Sequence, residues 1–409
     1  MIRGGAGVYF GRISNEQIYE AMTQTGNAGS QLSPTIFPTT GSSNATGLPT
    51  PGEPIYPNIL ASYSAGPSTN IAYFPSDTRL PGAEEFDLVL ERQIARDTAV
   101  SLSYIGSIGR FLPIGVNTNL PAPTTLNYTI VNGPLSGQVV AEPFFAGPKP
   151  NPAFNYMVMY CSCGTSHYNA MVLQFNRRMT SGLQFNMSYT YASDTDDVAS
   201  GTGASGGEAT SPAISGTGNG PVNPYNVARE NGTSNLEVRN RFVGTLVWQP
   251  PFFDHSSNAV SRALLSGWII SLNQTAESGL PFIQTISGNE PSGLGATISS
   301  GGPSGGATST RFILVAKNSN FLPPTVNTDI RIGRTFHVHE RFQTELSFEA
   351  FNLANHVNYT GATGTAYSTG GTAAAPTLTY STSFGNLTSA SNGVYLTQRQ
   401  LQLGAKVSF

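Results

Sequence analysis

The sequence predicts an all-β fold, an antiparallel β-barrel segment of about ten strands that crosses a lipid bilayer. Three observations predict it: the chain is poor in charge, its apolar residues recur with period two, and its connections alternate between short and long.

Charged residues make up 11% of the 409-residue chain, against about 25% in an ordinary soluble domain. A conventional solvated surface cannot be built from so few. With 39% apolar residues, the chain is nevertheless too hydrophobic to be disordered. Two architectures satisfy both numbers: a loop-rich extracellular β protein, or a barrel whose outer face meets lipid. No run of about 18 apolar residues exists, so no helix of this chain is expected to cross a membrane. The net charge of −3 offers no basic footprint, and nucleic acid is not expected as a partner. No apolar core follows Met1-Ile2-Arg3-Gly4-Gly5, so no signal peptide is read there. The expectation is a natural fragment or a clipped reading frame.

Successive strand side chains point to opposite faces, so alternation marks a strand with one apolar face. Leu401, Leu403, Ala405, Val407 and Phe409 alternate with Gln400, Gln402, Gly404, Lys406 and Ser408. Leu183, Phe185, Met187, Tyr189 and Tyr191 do the same, as do Phe342, Leu346 and Phe348. Ten strands follow, at about 5–12, 84–94, 98–110, 168–177, 183–192, 237–249, 267–278, 327–336, 341–353 and 398–409. Most match the roughly 9–11 residues that a tilted strand needs to cross a bilayer. The connections 95–97, 178–182, 250–266 and 337–340 are the shorter ones. Those at 13–83, 111–167, 193–236, 279–326 and 354–397 are long and rich in Gly, Ser, Thr, Asn and Pro. Short periplasmic turns alternating with long extracellular loops are the plan of bacterial outer-membrane barrels. The whole of 1–409 is read as one partial barrel domain.

Face parity then constrains the hairpins. A three-residue turn at 95–97 sets Leu90 opposite Leu102, Leu88 opposite Tyr104, and Phe86 beside Gly106, whose missing side chain it covers. Across the turn near 337–340, index sums of 676 or 678 are expected. Either leaves Arg331 within reach of Glu345 or Glu349, as a water-facing lumenal ion pair with Asp329 nearby. Trp248 and Trp268 flank one shorter connection, hence one rim, where indole rings form an aromatic girdle. The first and last strands are not expected to close into a ring. One segment departs from the pattern: Ser14 and Gln17 suggest a capping box, followed by Ile18 and Met22 at helical spacing.

The motifs that resemble chemistry carry little of it. Gly201–Gly206 matches a dinucleotide fingerprint without a helix behind it, and Gly302–Gly306 matches a nucleophile elbow without the strand–helix turn. His337, His339 and Glu340 lie close in sequence, but solvated turn residues are the expectation. Asp194, Asp196 and Asp197 read as a solvated acidic rim, since the rest of a calcium loop is absent. Cys161 and Cys163, the only cysteines, read as two thiols in a loop, because a bridge there would close a very tight ring. His167 and His356 are the histidines expected near the outer rim. No nucleophile, base and orienting acid converge, so neither an enzyme, a cofactor nor a metal site is expected.

The last segment, with Gln402, Gly404, Val407 and Phe409, looks like the C-terminal signal read by the outer-membrane assembly machinery. Tyr168-Asn169-Ala170 with Arg177-Arg178, Gly182–Phe185 running to Ser188–Ser193, Gly267-Trp268, Ser278–Phe282 and Glu349–His356 together resemble the barrel of Oar-like TonB-dependent receptors. The match lies in the order and spacing of these motifs over most of the chain. The resemblance implies an outer-membrane receptor that takes up a bulky ligand, gated by a plug and energised through a coupling protein that contacts the plug region. The plug, the energy-coupling box and about half of a 22-stranded barrel are missing from this sequence. Outer-membrane lipid and the assembly machinery are the implied partners. The alternative reading is a complete small outer-membrane barrel with a structural, adhesive or pore role.

Overall fold

The computed structural model describes residues 1–26, 70–145, 147–154, 156–197, 221, 223–252, 257–287, 309–312, 314–339, 342–390 and 398–408. Ten long strands run through it: β1 (Ile2–Phe10), β2 (Gly82–Ala95), β3 (Thr98–Asn117), β4 (Tyr156–Thr180), β5 (Leu183–Asp196), β6 (Asn240–Trp248), β7 (Trp268–Glu277), β8 (Thr325–His339), β9 (Phe342–Phe351) and β10 (Gln400–Ser408). They form one meander, each antiparallel to the next. Two short strands join its margin: Asn70–Tyr73 runs parallel to the start of β4, and Gly232–Thr233 pairs with the end of β5. Among the described residues no ladder joins β1 to β10. No helix is long and apolar enough to cross a membrane among those residues.

The ten expected strands are all present, and β3 and β4 extend well beyond their expected ends. Local chemistry explains the tight turns. Thr180 pairs with Leu183, leaving a two-residue loop in which Ser181 (φ 51°) and Gly182 (φ 75°) both have positive φ. This is the primed-turn geometry whose twist matches that of the flanking strands. A Cβ on Gly182 would lie 1.9 Å from the Gln249 carbonyl oxygen, so glycine is required there twice over. In the β2–β3 hairpin the expected partners are found: Leu90 with Leu102, Leu88 with Tyr104, and Phe86 with Gly106. A Cβ on Gly106 would stand 2.3 Å from the Phe86 ring, so that ring occupies the space the glycine leaves. The turn itself differs. Ala95 pairs with Thr98, so two residues turn the chain and a bulge near Ile94 restores the parity.

The β8–β9 register also corrects the expectation. Arg331 pairs with Glu349, Ile332 with Phe348 and Arg334 with Leu346, an index sum of 680 in place of 676 or 678. The ladder slips between His337 and His339, so the turn absorbs one extra residue as a bulge.

The long connections fold as well. Strands Thr124–Ile130, Val139–Phe144, Thr285–Ser287, Ser309–Arg311, Thr365–Thr372 and Ala375–Tyr380 build a second, six-stranded sheet, here called the cap. It draws on three different long connections, joined by two parallel seams: 285–287 with 365–368, and 377–378 with 129–130. Its core is the largest buried apolar cluster of the described residues, with Tyr128, Ile130, Ile286, Phe312, Tyr367 and Leu378 at 0–1% exposure. The Phe312 and Tyr367 rings meet at 4.8 Å between centroids.

The helix expected in the first long connection is α1 (Asn15–Thr23). Ser14 Oγ accepts from Glu16 N at 3.3 Å. Gln17 does not complete a capping box; it is buried at 1% exposure, while Ile18 and Met22 are exposed. The helix lies against the strand Asn70–Tyr73, where Ala72 N donates to the Gln24 carbonyl, and the Tyr160 hydroxyl on β4 donates to the Glu20 carboxylate.

Candidate functional site: the polar face, the aromatic rim and the outer cap

The register assigns every wall residue to a face. On β8 to β10, Ile330, Ile332, Phe348, Leu346, Leu403 and Ala405 share one side, while Asp329, Arg331, Glu345, Glu349, Gln402 and Lys406 share the other. Arg331 is therefore opposite in facing to Leu346 and Phe348. Its guanidinium lies 2.6 Å from Glu345 Oε1 and 3.2 Å from Glu349 Oε1. Glu345 faces Lys406 across the next ladder, and Glu349 faces Gln402. Asp329 accepts from Asn327 Nδ2 and from the Asn352 backbone N–H. The same polar face continues at the start of the sheet, where Arg3 and Glu91 lie 3.4 Å apart over Ser101 and Gln174.

The apolar side is inverted relative to a soluble sheet: Leu401, Leu403 and Val407 are 63%, 83% and 57% exposed. Of the C-terminal residues, Gln402 and Gly404 lie on one face and Val407 on the other. Phe409 lies outside the described residues.

Trp248 ends β6 and Trp268 begins β7, so both stand at the rim of one short connection, which contains helix α2 (Ala259–Leu265). Trp248 packs edge-on against Phe252, with centroids 6.1 Å apart. Trp268 stands opposite Arg334, a residue the sequence reading overlooked. Arg334 is on the apolar face, 7% exposed, with its guanidinium 5.5 Å from the Trp268 ring centroid and 4.5 Å from that of Phe336. Cation–π contacts of this kind contribute about 0.5–2 kcal/mol. They let a charge sit where midplane exposure to lipid would cost about 2–4 kcal/mol, the cost falling to about 0–1 near an interface. Parity counted from Ile330 and Ile332 would have revealed it.

At the opposite end the acidic rim is not solvated. Asp197 is buried and accepts from Thr165 N at 2.6 Å and from Thr165 Oγ1 at 2.8 Å. Asp196 pairs with Lys317, whose side chain is 1% exposed. Arg311 and Glu230 form a further buried pair at 3.3 Å, and Arg239 meets buried Glu237 at 2.6 Å. The physical reason is that segments 227–239 and 314–321 fold back over the end of β5: Lys317 supplies the cation for Asp196, Asn318 donates to the Thr233 carbonyl, and Asp197 is satisfied by Thr165.

The cysteines also depart from expectation. Cys161 and Cys163 lie within β4 and are bonded to each other. A regular strand sets Cα atoms two positions apart at about 6.6 Å; here the ladder to β3 is irregular between Ser162 and Gly164, and the Cα atoms lie 5.2 Å apart, inside the range a bridge requires. His167 lies on β4 opposite Ile108 and Thr195, and the His356 ring is 3.0 Å from Asn358 Oδ1 beyond β9. His255, Gly201–Gly206, Gly302–Gly306, Glu340 and the side chains of His337 and His339 lie outside the described residues. Among those described, no group of three or more His, Cys, Asp or Glu side chains is placed to hold a metal ion.

In solved structures the chain is similar to the outer-membrane transporter YddB from Escherichia coli, at 10% identity and a TM-score of 0.39, covering 85% of this chain and 34% of that one. It is also similar to P. aeruginosa FpvA in complex with pyoverdine and iron (10% identity, TM-score 0.36, 81% of this chain and 27% of that one). A third is FpvAI bound to pyocin S2 (8% identity, TM-score 0.36, 81% and 28%). The chain thus spans about a third or less of the length of these three proteins. No curated protein matches it in sequence. The model of the outer membrane beta barrel domain matches residues 1–402, and the chain belongs to that family: it is an outer-membrane β-barrel protein.

Proposed function

We propose that the chain forms part of the wall and outer cap of a TonB-dependent receptor of the Oar-like type, which takes up a bulky ligand across the outer membrane of a Gram-negative bacterium. The carrying observation is that three long connections share one buried core above a ten-stranded meander with a charged inner face. A passive structural barrel has no need of such a folded outer assembly. In this reading Arg331, Glu345 and Glu349 line the lumen as an ionic ladder wetted by water. Trp248 and Trp268 sit in the periplasmic-side girdle, in contact with lipid. Gln402, Gly404, Val407 and Phe409 act as the signal for the outer-membrane assembly machinery. Among the described residues no ladder joins β1 to β10, which supports a wall completed by further strands. Energy would arrive through a coupling protein acting on a plug region, and no enzymatic step is assigned.

The test is ligand accumulation by cells carrying the full-length gene, with and without the inner-membrane proton gradient. Uptake that stops when the gradient is dissipated supports the reading; uptake indifferent to it supports a passive pore. In the same cells Phe409→Ala is expected to lower the surface amount of the protein while leaving ligand affinity per molecule unchanged.

A further inference from the structure

The chain carries nine sulfur-bearing residues, two cysteines and seven methionines, and four of them fall within the seven positions 157–163. Met157, Met159 and Cys161 occupy alternate positions of β4 and therefore one face; the ladder to β3 is irregular between Ser162 and Gly164, and the bond to Cys161 brings the Cys163 sulfur to the same row. The intervening Val158 and Tyr160 are buried on the other face, at 3% and 1% exposure. The two methionines and Cys161 are half-buried, and Cys163 is exposed. Across the ladder Ile114 faces Cys161 and Val116 faces Met159, so an apolar flank shields the row from competing charged groups. The row stands beyond the membrane-crossing part of β4, on the side of the long connections.

The Cys161–Cys163 bridge does little for the fold. With a sequence separation of two it closes almost the smallest possible ring, and the stabilisation from loop closure grows with ring size. The β3 ladder already holds the same stretch in place. What the pair offers is chemistry. Thiolate and thioether sulfurs are soft donors that select soft, low-charge metal ions. At about 3.3 Å of rise per residue, Met157 and Cys163 are roughly 20 Å apart and cannot share one ion. Met159, Cys161 and Cys163 can, because a methionine side chain is long and flexible.

We propose that, with the bridge reduced, Met159, Cys161 and Cys163 form a site for a soft monovalent metal ion, Cu(I) or its analogue Ag(I). Reduction takes two low-molecular-weight thiols. Each gives one electron and one proton, the Cys161–Cys163 bond breaks, two thiols form, and the reductant leaves as its own disulfide. Metal binding then releases the two thiol protons to solvent as both sulfurs ligate as thiolates, so affinity rises with pH. The site is independent of the transport reading, and either stands if the other fails.

The experiment is an anaerobic titration of the full chain, extracted from outer membranes in detergent and reduced, with Cu(I) buffered by a chromogenic chelator. One Cu(I) per chain is expected, with sulfur-to-copper charge-transfer absorption. Cys161→Ser with Cys163→Ser should weaken binding about 100-fold and Met159→Leu about 10-fold, while Met157→Leu leaves it unchanged. The oxidised chain should bind as weakly as the double serine variant. Unchanged heat-modifiability on gels shows that each variant is folded. Cu(I) uptake equal in wild type and the double serine variant, or a reduced chain unable to take Cu(I) from the chelator, overturns the proposal.

Discussion

The wall and the cap are both antiparallel-rich sheets from one chain, yet they dispose of hydrophobic side chains in opposite ways. In the wall, Leu403 and Leu401 stand 83% and 63% exposed. In the cap, Ile286 and Leu378 are at 0%. The wall pairs its backbone within the sheet and leaves its apolar face to lipid, which is as apolar as leucine itself. The cap meets water and so must bury its apolar face against itself. Period-two alternation thus has two meanings in this molecule, and only the surrounding solvent distinguishes them.

The largest expected effect tests the cap. Leu378→Ala should remove about 2–5 kcal/mol from its core. Limited proteolysis of intact cells should then cleave near 118–155 or 352–399, while heat-modifiability of the barrel is retained; simultaneous loss of both would show that the two sheets are one cooperative unit. Next is the wall. Leu403→Arg places a charge on the lipid face at a cost of about 2–4 kcal/mol at midplane. A reduced membrane-inserted fraction is expected, and insertion equal to wild type would remove lipid as the solvent of that face.

Smaller again is Arg331→Met. Its carboxylate partners are partly exposed, so denaturant stability should fall by only about 0–1 kcal/mol. A loss of several kcal/mol would place Arg331 in a dry environment and reverse the facing of β8. The smallest effect concerns α1. Burial, followed at a distance by repulsion from Glu16, raises the Glu20 carboxyl above its ordinary 4.5, although the Tyr160 hydroxyl opposes this. The folded state therefore prefers the protonated acid. Docking of α1 should be tightest below 4.5 and loosen as pH rises through the raised value. Hydrogen exchange of 15–24 that is slower at pH 8 than at pH 4, after correction for intrinsic rates, would contradict that sign.

The wall was legible because each long strand carries its own alternation, as in Gln400–Ser408, and because hairpins couple neighbours in sequence. Even the cover that Phe86 gives Gly106 followed from parity. The cap was not legible. Thr285–Ser287 and Ser309–Arg311 are three residues each, too short for any period to register, and the first is held on its other side by 365–368 from a different connection. The charges at the end of β5 misled for a related reason. Asp196 resembles a surface residue until Lys317, brought back from a distant segment, closes over it. The β8–β9 register failed because the strands run on to His339 and Phe342, so the turn falls about two positions later than expected, with a one-residue bulge that keeps the parity even. Arg334 escaped because charge was taken as a marker of the polar face, whereas two aromatic rings let it lie on the other.

The seam between 377–378 and 129–130 sets the order in which the molecule is made. Asn132 and Tyr380, which clasp beside it, are 248 positions apart in the chain. The entropy of closing such a span can be met only once the intervening wall strands have shortened it to a distance across the sheet. The cap is therefore expected to close late, after the wall strands between its two seam segments have paired. Until then its hairpins lack one another, and a protease outside the cell would distinguish a half-built wall from a finished one by whether those hairpins are still open to it.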